Sequence, residues 1–316
     1  MRKELLLLGA FGMLTTATLC AQEFHLQPTP QEYITQKDSV DIPRQYQILS
    51  GNSVQDGPAL PLLRSLMPEE VLGASFRVYI GVKGDKIIKK YQHRIPRKSE
   101  GYFLKIEKDC IVIAGADERG AYYGVQTLAQ LLALDKLPLA EVTDYPDVPY
   151  RGVVEGFYGA PWSQEACIRQ LDFYGRNKMN VYIYGPKDDP YHRTPNWRKP
   201  YPAREGEELK VLVNRAKENN VIFYWAIHPG QDIRWNEEDR SLLLQKFESM
   251  YQLGVRGFAV FFDDISGEGT KADKQAELLN YIDDHFVKVK RDVAPLILCP
   301  TEYNKSWTDV EGGYLT

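Results

Sequence analysis

The sequence predicts an α/β protein in which a small α+β domain precedes a (β/α)8 barrel of the TIM type, the barrel running here to about its fifth strand. Three observations predict it. After Pro149, strand-like and helix-like segments alternate at roughly 30 to 40 residues per unit, the spacing of such a barrel. One of these strands, Phe258-Ala-Val-Phe-Phe262, is apolar throughout, as expected of a parallel strand covered on both faces, and it stops at Asp263-Asp264. Before Pro149 the pattern differs: short alternating strands and one amphipathic helix.

The amino terminus carries Arg2 and Lys3, then Leu5 to Leu14, then small residues to Cys20-Ala21. That layout predicts a signal peptide over residues 1–21, too short to span a membrane, and export to a periplasmic or extracellular space. Cys20 offers a lipoprotein alternative, which Leu19 directly before it disfavours. Cys110, Cys167 and Cys299 form no disulfide or zinc pattern and read as core thiols. The net charge of −4 argues against a nucleic-acid partner, and Lys86 to Lys90 reads as a solvated edge.

Residues 22–148 read as the first domain. Phe76–Ile80, Gly101–Ile106 and Cys110–Ala114 are strands, the last two joined by a turn at Glu107–Asp109. A helix over Glu118–Leu134 sets Tyr122, Val125, Leu128, Ala129 and Leu132 on one face, with Asp117 as its cap. His93 reads as a surface residue. Asp144-Tyr-Pro-Asp-Val-Pro149 marks the boundary, because residues before proline are pushed out of the helical region.

Residues 149–316 read as the barrel. Strands are predicted at Arg151–Phe157, Asn180–Gly185, Val221–His228, the Phe258 segment and Leu296–Pro300. The intervening helices are predicted near Ser163–Asn177, Glu207–Glu218, Asp239–Leu253 and Ala272–Lys290. A full barrel takes about 250 residues, and about 168 follow the boundary.

In this fold the carboxyl ends of the strands face one mouth, where active sites sit. Side chains alternate along a strand, so neighbouring aspartates share a pocket only where the strand stops. The strand ends gather Glu155-Gly156-Phe157-Tyr158, Lys187 with Asp188-Asp189 and His192, His228, Asp263-Asp264, and Thr301 to Asn304 with Trp307. Glycine, aromatic, lysine, carboxylate and amide groups at one mouth suit a sugar. Singly, Lys187 reads as a surface lysine, His228 as a satisfied core histidine and Tyr303 as packing.

Two other carboxylate pairs and one other motif compete. Asp188-Asp189 lies between Pro186 and Pro190, which suits a turn whose aspartates bond their own backbone. Asp283-Asp284 falls within a helix, on a solvated face. Gly267-Glu-Gly-Thr-Lys-Ala272 matches a dinucleotide fingerprint, but the acids that follow it lie in a helix rather than at the next strand end. No metal-binding helix or clustered Cys/His set occurs, so neither a metal nor an organic cofactor is expected.

Arg151-Gly-Val-Val-Glu-Gly-Phe-Tyr-Gly159, Tyr184-Gly-Pro-Lys-Asp-Asp-Pro-Tyr191 and Phe261-Phe-Asp-Asp-Ile265 closely resemble the bacterial members of glycoside hydrolase family 84, the β-N-acetylglucosaminidases that include the O-GlcNAcases. The resemblance covers the mature chain. It identifies residues 22–148 as the accessory domain that precedes the barrel in hexosaminidases, and it implies retention of configuration by substrate-assisted catalysis through an oxazoline. The implied substrate is a glycoprotein or glycan with terminal β-linked GlcNAc.

By the same resemblance Asp263 orients the substrate's 2-acetamido group and Asp264 is the general acid and then base. Burial beside a like charge is expected to raise the acid's pKa above the reference of about 3.9. Gly156, Lys187 and Tyr303 match positions that contact the sugar or its acetamido group, and Tyr158 and Cys299 match positions lining that pocket. Family members continue through three further strands that carry Trp, Asn and Asp sugar-binding groups. The expectation is therefore an exo-acting glycosidase of which this chain is the amino-terminal part; the alternatives are an inactive or merely sugar-binding fragment, or a hyaluronidase-like relative.

Overall fold

The computed structural model describes residues 25–67, 69–304 and 306. The leader expectation, Cys20 and Trp307 lie outside them. The first sheet is built from β1 (Glu32–Val40), β2 (Gln45–Ser50), β3 (Glu69–Glu70), β4 (Arg77–Val82), β5 (Tyr102–Ile106), β6 (Cys110–Gly115) and β7 (Leu137–Asp144). The spatial order is β1-β7-β5-β6-β4-β2-β3. Helices α1 (Ala59–Leu66) and α2 (Glu118–Leu132) contribute Leu60, Leu63, Tyr122, Val125, Leu128 and Leu131 to a core shared with Tyr46, Val78, Ile80, Leu104, Ile111 and Ile113. On its other face a 3₁₀ segment, Lys86–Arg94, lays Ile88 against Phe103 and Val112 and leaves Lys86, Lys89 and Lys90 in solvent.

β4, β5, β6 and α2 lie where the sequence predicts them, and Asp117 caps α2 as expected, accepting from Gly120 N at 2.8 Å. Four strands and α1 are additions. β1 explains why: seven of its nine residues are exposed, so it has no apolar alternation, and it is held instead as an edge strand by antiparallel pairing with β7.

The second sheet is wholly parallel, in the order β12-β11-β10-β9-β8, each strand joined to the next through a helix. Its elements are β8 (Gly152–Glu155), α3 (Gln164–Arg176), β9 (Val181–Tyr184), α4 (Ala203–Glu218), β10 (Ile222–Ile227), α5 (Glu237–Gln252), β11 (Gly257–Phe261), α6 (Ala272–Ile282) and β12 (Ile297–Cys299). The expected helix from Ala272 to Lys290 is α-helical only to Ile282, after which Asp283–Val287 forms one wide π turn. Ser163 and Asn236 cap α3 and α5 by accepting from the backbone three residues on.

Two-residue periodicity divides the sheet's apolar groups. Tyr182, Phe223, Trp225, Phe258, Val260 and Phe262 pack outward beneath the helices, where Phe247 of α5 stacks on Phe258 at 4.8 Å. Val181, Ile183, Tyr224, Ala226, Ala259 and Phe261 face inward. This is half of a barrel wall.

Buried charge ties the two sheets together. Lys178 Nζ lies 2.8 Å from both Asp144 Oδ2 and Tyr102 Oη, and burial lowers its pKa against the opposing pull of Asp144. Glu100 accepts from Arg151 at 2.5 Å and from Asn180 at 3.0 Å. Both clusters hold the first turn of the barrel sheet against the preceding sheet.

Candidate functional site

The alternation along β11 aims Asp263. Phe261 faces inward, Phe262 outward, and Asp263 inward again at the mouth, two residues past the end of the strand. Asp264 then adopts φ +53°, a left-handed conformation that Asp tolerates better than most residues. That turn brings its carboxylate to the same mouth instead of the opposite face.

Lys187, in the long loop after β9, joins the two acids. Its ammonium is paired with Asp263 Oδ2 and stands 3.9 Å from Asp264 Oδ2, with the Tyr158 ring centroid 5.8 Å away. The Lys187 side chain is only 5% exposed, so it is not a surface lysine. Burial alone would raise the Asp263 pKa, but the neighbouring His228 and Lys187 outweigh it and hold this carboxyl well below the usual range. Its Oδ1 is buried without a firm hydrogen-bond partner. His228 Nε2 stands 3.5 Å away, while its main bond runs to the Asp263 carbonyl at 2.7 Å.

Asp264 departs from expectation. Its side chain is 64% exposed rather than buried, because the left-handed turn carries it outward and the groups that approach it are Tyr158, whose hydroxyl donates to Oδ2 at 3.3 Å, and Lys187.

An open cavity of about 350 Å³ is lined by Gly156, Lys187, Asp263, Cys299 and Tyr303 over an apolar floor of Val154, Ile183, Phe261 and Leu298. Tyr158 and Asp264 meet at its rim. The structure thus brings the seven predicted residues to one mouth. Cys299 pairs in register with Phe261, which places it level with the strand end, and burial and then Asp263 push its thiol up to about 11. It is not a core thiol, and neither is Cys110, which lies half-buried with Sγ 3.4 Å from Glu107. Cys167 is buried.

The competing motifs have structural work. Asp189 accepts from Tyr191 N at 2.7 Å, as the turn reading expects, and also from Tyr184 and Tyr201. Asp283 and Asp284 pair with Lys288 at 2.8 Å. In the glycine motif, a Cβ on Gly269 would meet Gly230 O at 2.3 Å, so that glycine serves close passage of two loops. Among the described residues no cluster of three or more His, Cys, Asp or Glu is arranged for a metal ion.

Two strand-end residues, Glu155 and His228, have roles that the sequence does not assign. Glu155 is fully buried, bonded to the Tyr182 hydroxyl, and accepts from Trp162 N at 2.9 Å, which fastens the loop carrying Gly156 and Tyr158. A carboxylate inside an apolar strand and next to glycine was the available signal. His228 is the other, as the donor to Asp263.

A parallel sheet of barrel type with adjacent carboxylates and a buried lysine at its C-terminal mouth defines a glycoside-hydrolase kind of site. Residues 151–316 match the beta-N-acetylglucosaminidase family and residues 23–145 match domain 2 of glycosyl hydrolase family 20. The chain belongs to the beta-N-acetylglucosaminidase family, glycoside hydrolase family 84, a family of glycoside hydrolases. The Protein O-GlcNAcase of Rattus norvegicus is 37% identical over 158 residues, 48% of this chain and 17% of that protein. A Beta-hexosaminidase of Vibrio vulnificus is 29% identical over 167 residues, 52% of this chain and 19% of that protein. Among solved structures, CpGH84B superposes with a TM-score of 0.82 at 37% identity, over 89% of this chain and 51% of that one. CpGH84D gives 0.83 at 28%, over 93% and 53%. The chain spans about half the length of these structures and under a fifth of these curated relatives.

Proposed function

We propose that the enzyme to which this chain contributes is a retaining exo-β-N-acetylglucosaminidase acting on terminal β-linked GlcNAc of glycoproteins or glycans. The observation that carries the proposal is the unequal environment of two adjacent carboxylates: Asp263 largely buried and paired with the Lys187 ammonium, and Asp264 beside it on the open side of the mouth.

The Asp263 carboxylate accepts the acetamido N–H and turns the acetamido carbonyl oxygen toward the anomeric carbon. The oxygen forms a bond to that carbon as the glycosidic bond breaks, and Asp264 delivers its proton to the departing oxygen. The amide nitrogen becomes acidic as the ring closes, so an anion beside it favours the step. Asp264 then takes a proton from water, which opens the oxazoline from the face the aglycone left, and two inversions give retention. Lys187 keeps Asp263 anionic throughout. Gly156, Cys299 and Tyr303 shape the sugar pocket and Tyr158 closes its rim. No metal or organic cofactor enters these steps.

Residues 22–148 are proposed as the accessory domain, 149–316 as catalytic barrel, and the protein as exported by its first 21 residues to a periplasmic or extracellular space. No helix among the described residues is long and apolar enough to cross a membrane. The test is the configuration of the first-formed sugar, followed by proton NMR during hydrolysis of an aryl β-N-acetylglucosaminide by the complete protein. The β anomer is expected, and an α anomer appearing first would overturn the proposal.

A further inference from the structure

We infer that His192 and His228 are positioning residues, a paired imidazole brace that sets Lys187 and Asp263 against each other at the mouth. The imidazoles are fully or almost fully buried, at 0% and 1% exposure. His192 Nε2 lies 2.8 Å from the carbonyl oxygen of Pro186, immediately before Lys187, and His228 Nε2 lies 2.7 Å from the carbonyl oxygen of Asp263. A carbonyl only accepts, so each Nε2 carries a hydrogen. Both Nδ1 atoms are buried without a partner, so a proton placed there would find no acceptor. The geometry therefore selects the neutral Nε2–H tautomer twice; burial also pushes His192 down to about 4.

The two rings belong to one unit. His228 N donates to His192 O at 2.7 Å, and Arg193 and His228 form a parallel bridge. Arg193 Nη1 also donates to Lys187 O at 2.9 Å. The carbonyls on either side of the Lys187 Cα and the carbonyl of Asp263 are thus held by one continuous stretch of hydrogen bonds across the ends of β9, β10 and β11.

Imidazole suits this place for a chemical reason. Asp263 must stay anionic with its carboxylate correctly oriented, and His228 Nε2 is 3.5 Å from Oδ1 while bonded to the carbonyl of the same residue. An ammonium or guanidinium here would take Oδ1 for itself, whereas an aliphatic side chain would leave the carbonyl without its donor.

The inference rests on the proposed reaction only for its kinetic arm. Nitrogen-15 shifts of histidine-labelled protein at neutral pH report the tautomers directly, and both rings are expected as neutral Nε2–H. Kinetically, His228→Leu in the complete enzyme should lower kcat on the order of 10²-fold, with a much smaller change in KM, since displacing a catalytic group by about 1 Å costs that much. The amide of His228→Gln can stand in for Nε2–H and should restore most of the loss. In an Asp263→Asn background His228→Leu should add little further, because its effect passes through Asp263. His192→Leu and His192→Gln repeat the comparison if His228→Leu does not fold. Nδ1–H tautomers or imidazolium rings in the wild type, a glutamine variant as impaired as the leucine variant, or losses that multiply with Asp263→Asn would each overturn the brace. A complete enzyme without glycosidase activity would refute the proposed reaction instead, and the nitrogen shifts would then decide the brace by themselves.

Discussion

Replacing Lys187 by Met keeps the length of the side chain and removes the ammonium that pairs with Asp263. The wild-type pair is largely out of water, with Lys187 5% and Asp263 20% exposed. Breaking a buried pair from one side costs about 3 to 5 kcal/mol, because the surviving charge is left without compensation. Asp263 retains a view of the open mouth and His228 as a neighbour, so we expect the lower end, about 3 kcal/mol. The loss also has a pH signature. Asp263 has a depressed folded pKa, so its contribution is present above the unfolded value of about 3.9 and lost as pH falls through the folded value. The wild type should therefore gain stability as pH rises from about 2 to about 5, and the variant should gain much less of it. Urea unfolding followed by tryptophan fluorescence across that range measures both quantities. A variant within about 0.5 kcal/mol of wild type at neutral pH, with an unchanged acid limb, would refute the assignment of Lys187 as the counter-ion.

Three further outcomes follow from the packing. Glu155→Gln should destabilise by about 1 to 2 kcal/mol and lower amide protection selectively over residues 156–162, since the Tyr182 and Trp162 bonds lose an anionic acceptor; hydrogen exchange checks this. Lys178→Met should cost about 3 kcal/mol in chemical denaturation by leaving Asp144 buried without its cation, whereas an exposed control, Lys288→Met, should leave the denaturation midpoint close to that of the wild type. Gly269→Ala should lower the thermal midpoint, with about 1 to 3 kcal/mol from forcing a methyl group against Gly230 O, and a midpoint equal to wild type would contradict the close loop passage.

Much of the barrel half was legible because its physics is local. Apolar runs such as Phe258–Phe262 and Val221–Ile227 must be covered on both faces, and proline and glycine punctuate the loops between them. The mouth could be assembled from strand ends alone, which is why Lys187 and Tyr303 reached it although they lie 116 positions apart (303 − 187). The first sheet was legible only where it is buried. β1, with its polar and exposed sequence, is specified by its antiparallel partner β7, far along the chain. The exposure of Asp264 was not legible either, since it follows from a single left-handed residue rather than from composition. His228 illustrates a third limit: residue type and burial were evident, but that its ring addresses the Asp263 backbone depends on tertiary geometry.

In the proposed reaction the adjacent aspartates divide the work, Asp263 serving the acetamido group and Asp264 the leaving group. The dependence of rate on leaving-group pKa, measured for Asp263→Asn and Asp264→Asn in the complete protein, tests it most directly. Loss of the acid should steepen that dependence, since activated aryl glycosides scarcely need protonation, while Asp263→Asn should slow the whole series and leave the slope unchanged. Equal losses from both substitutions across the series would contradict the division.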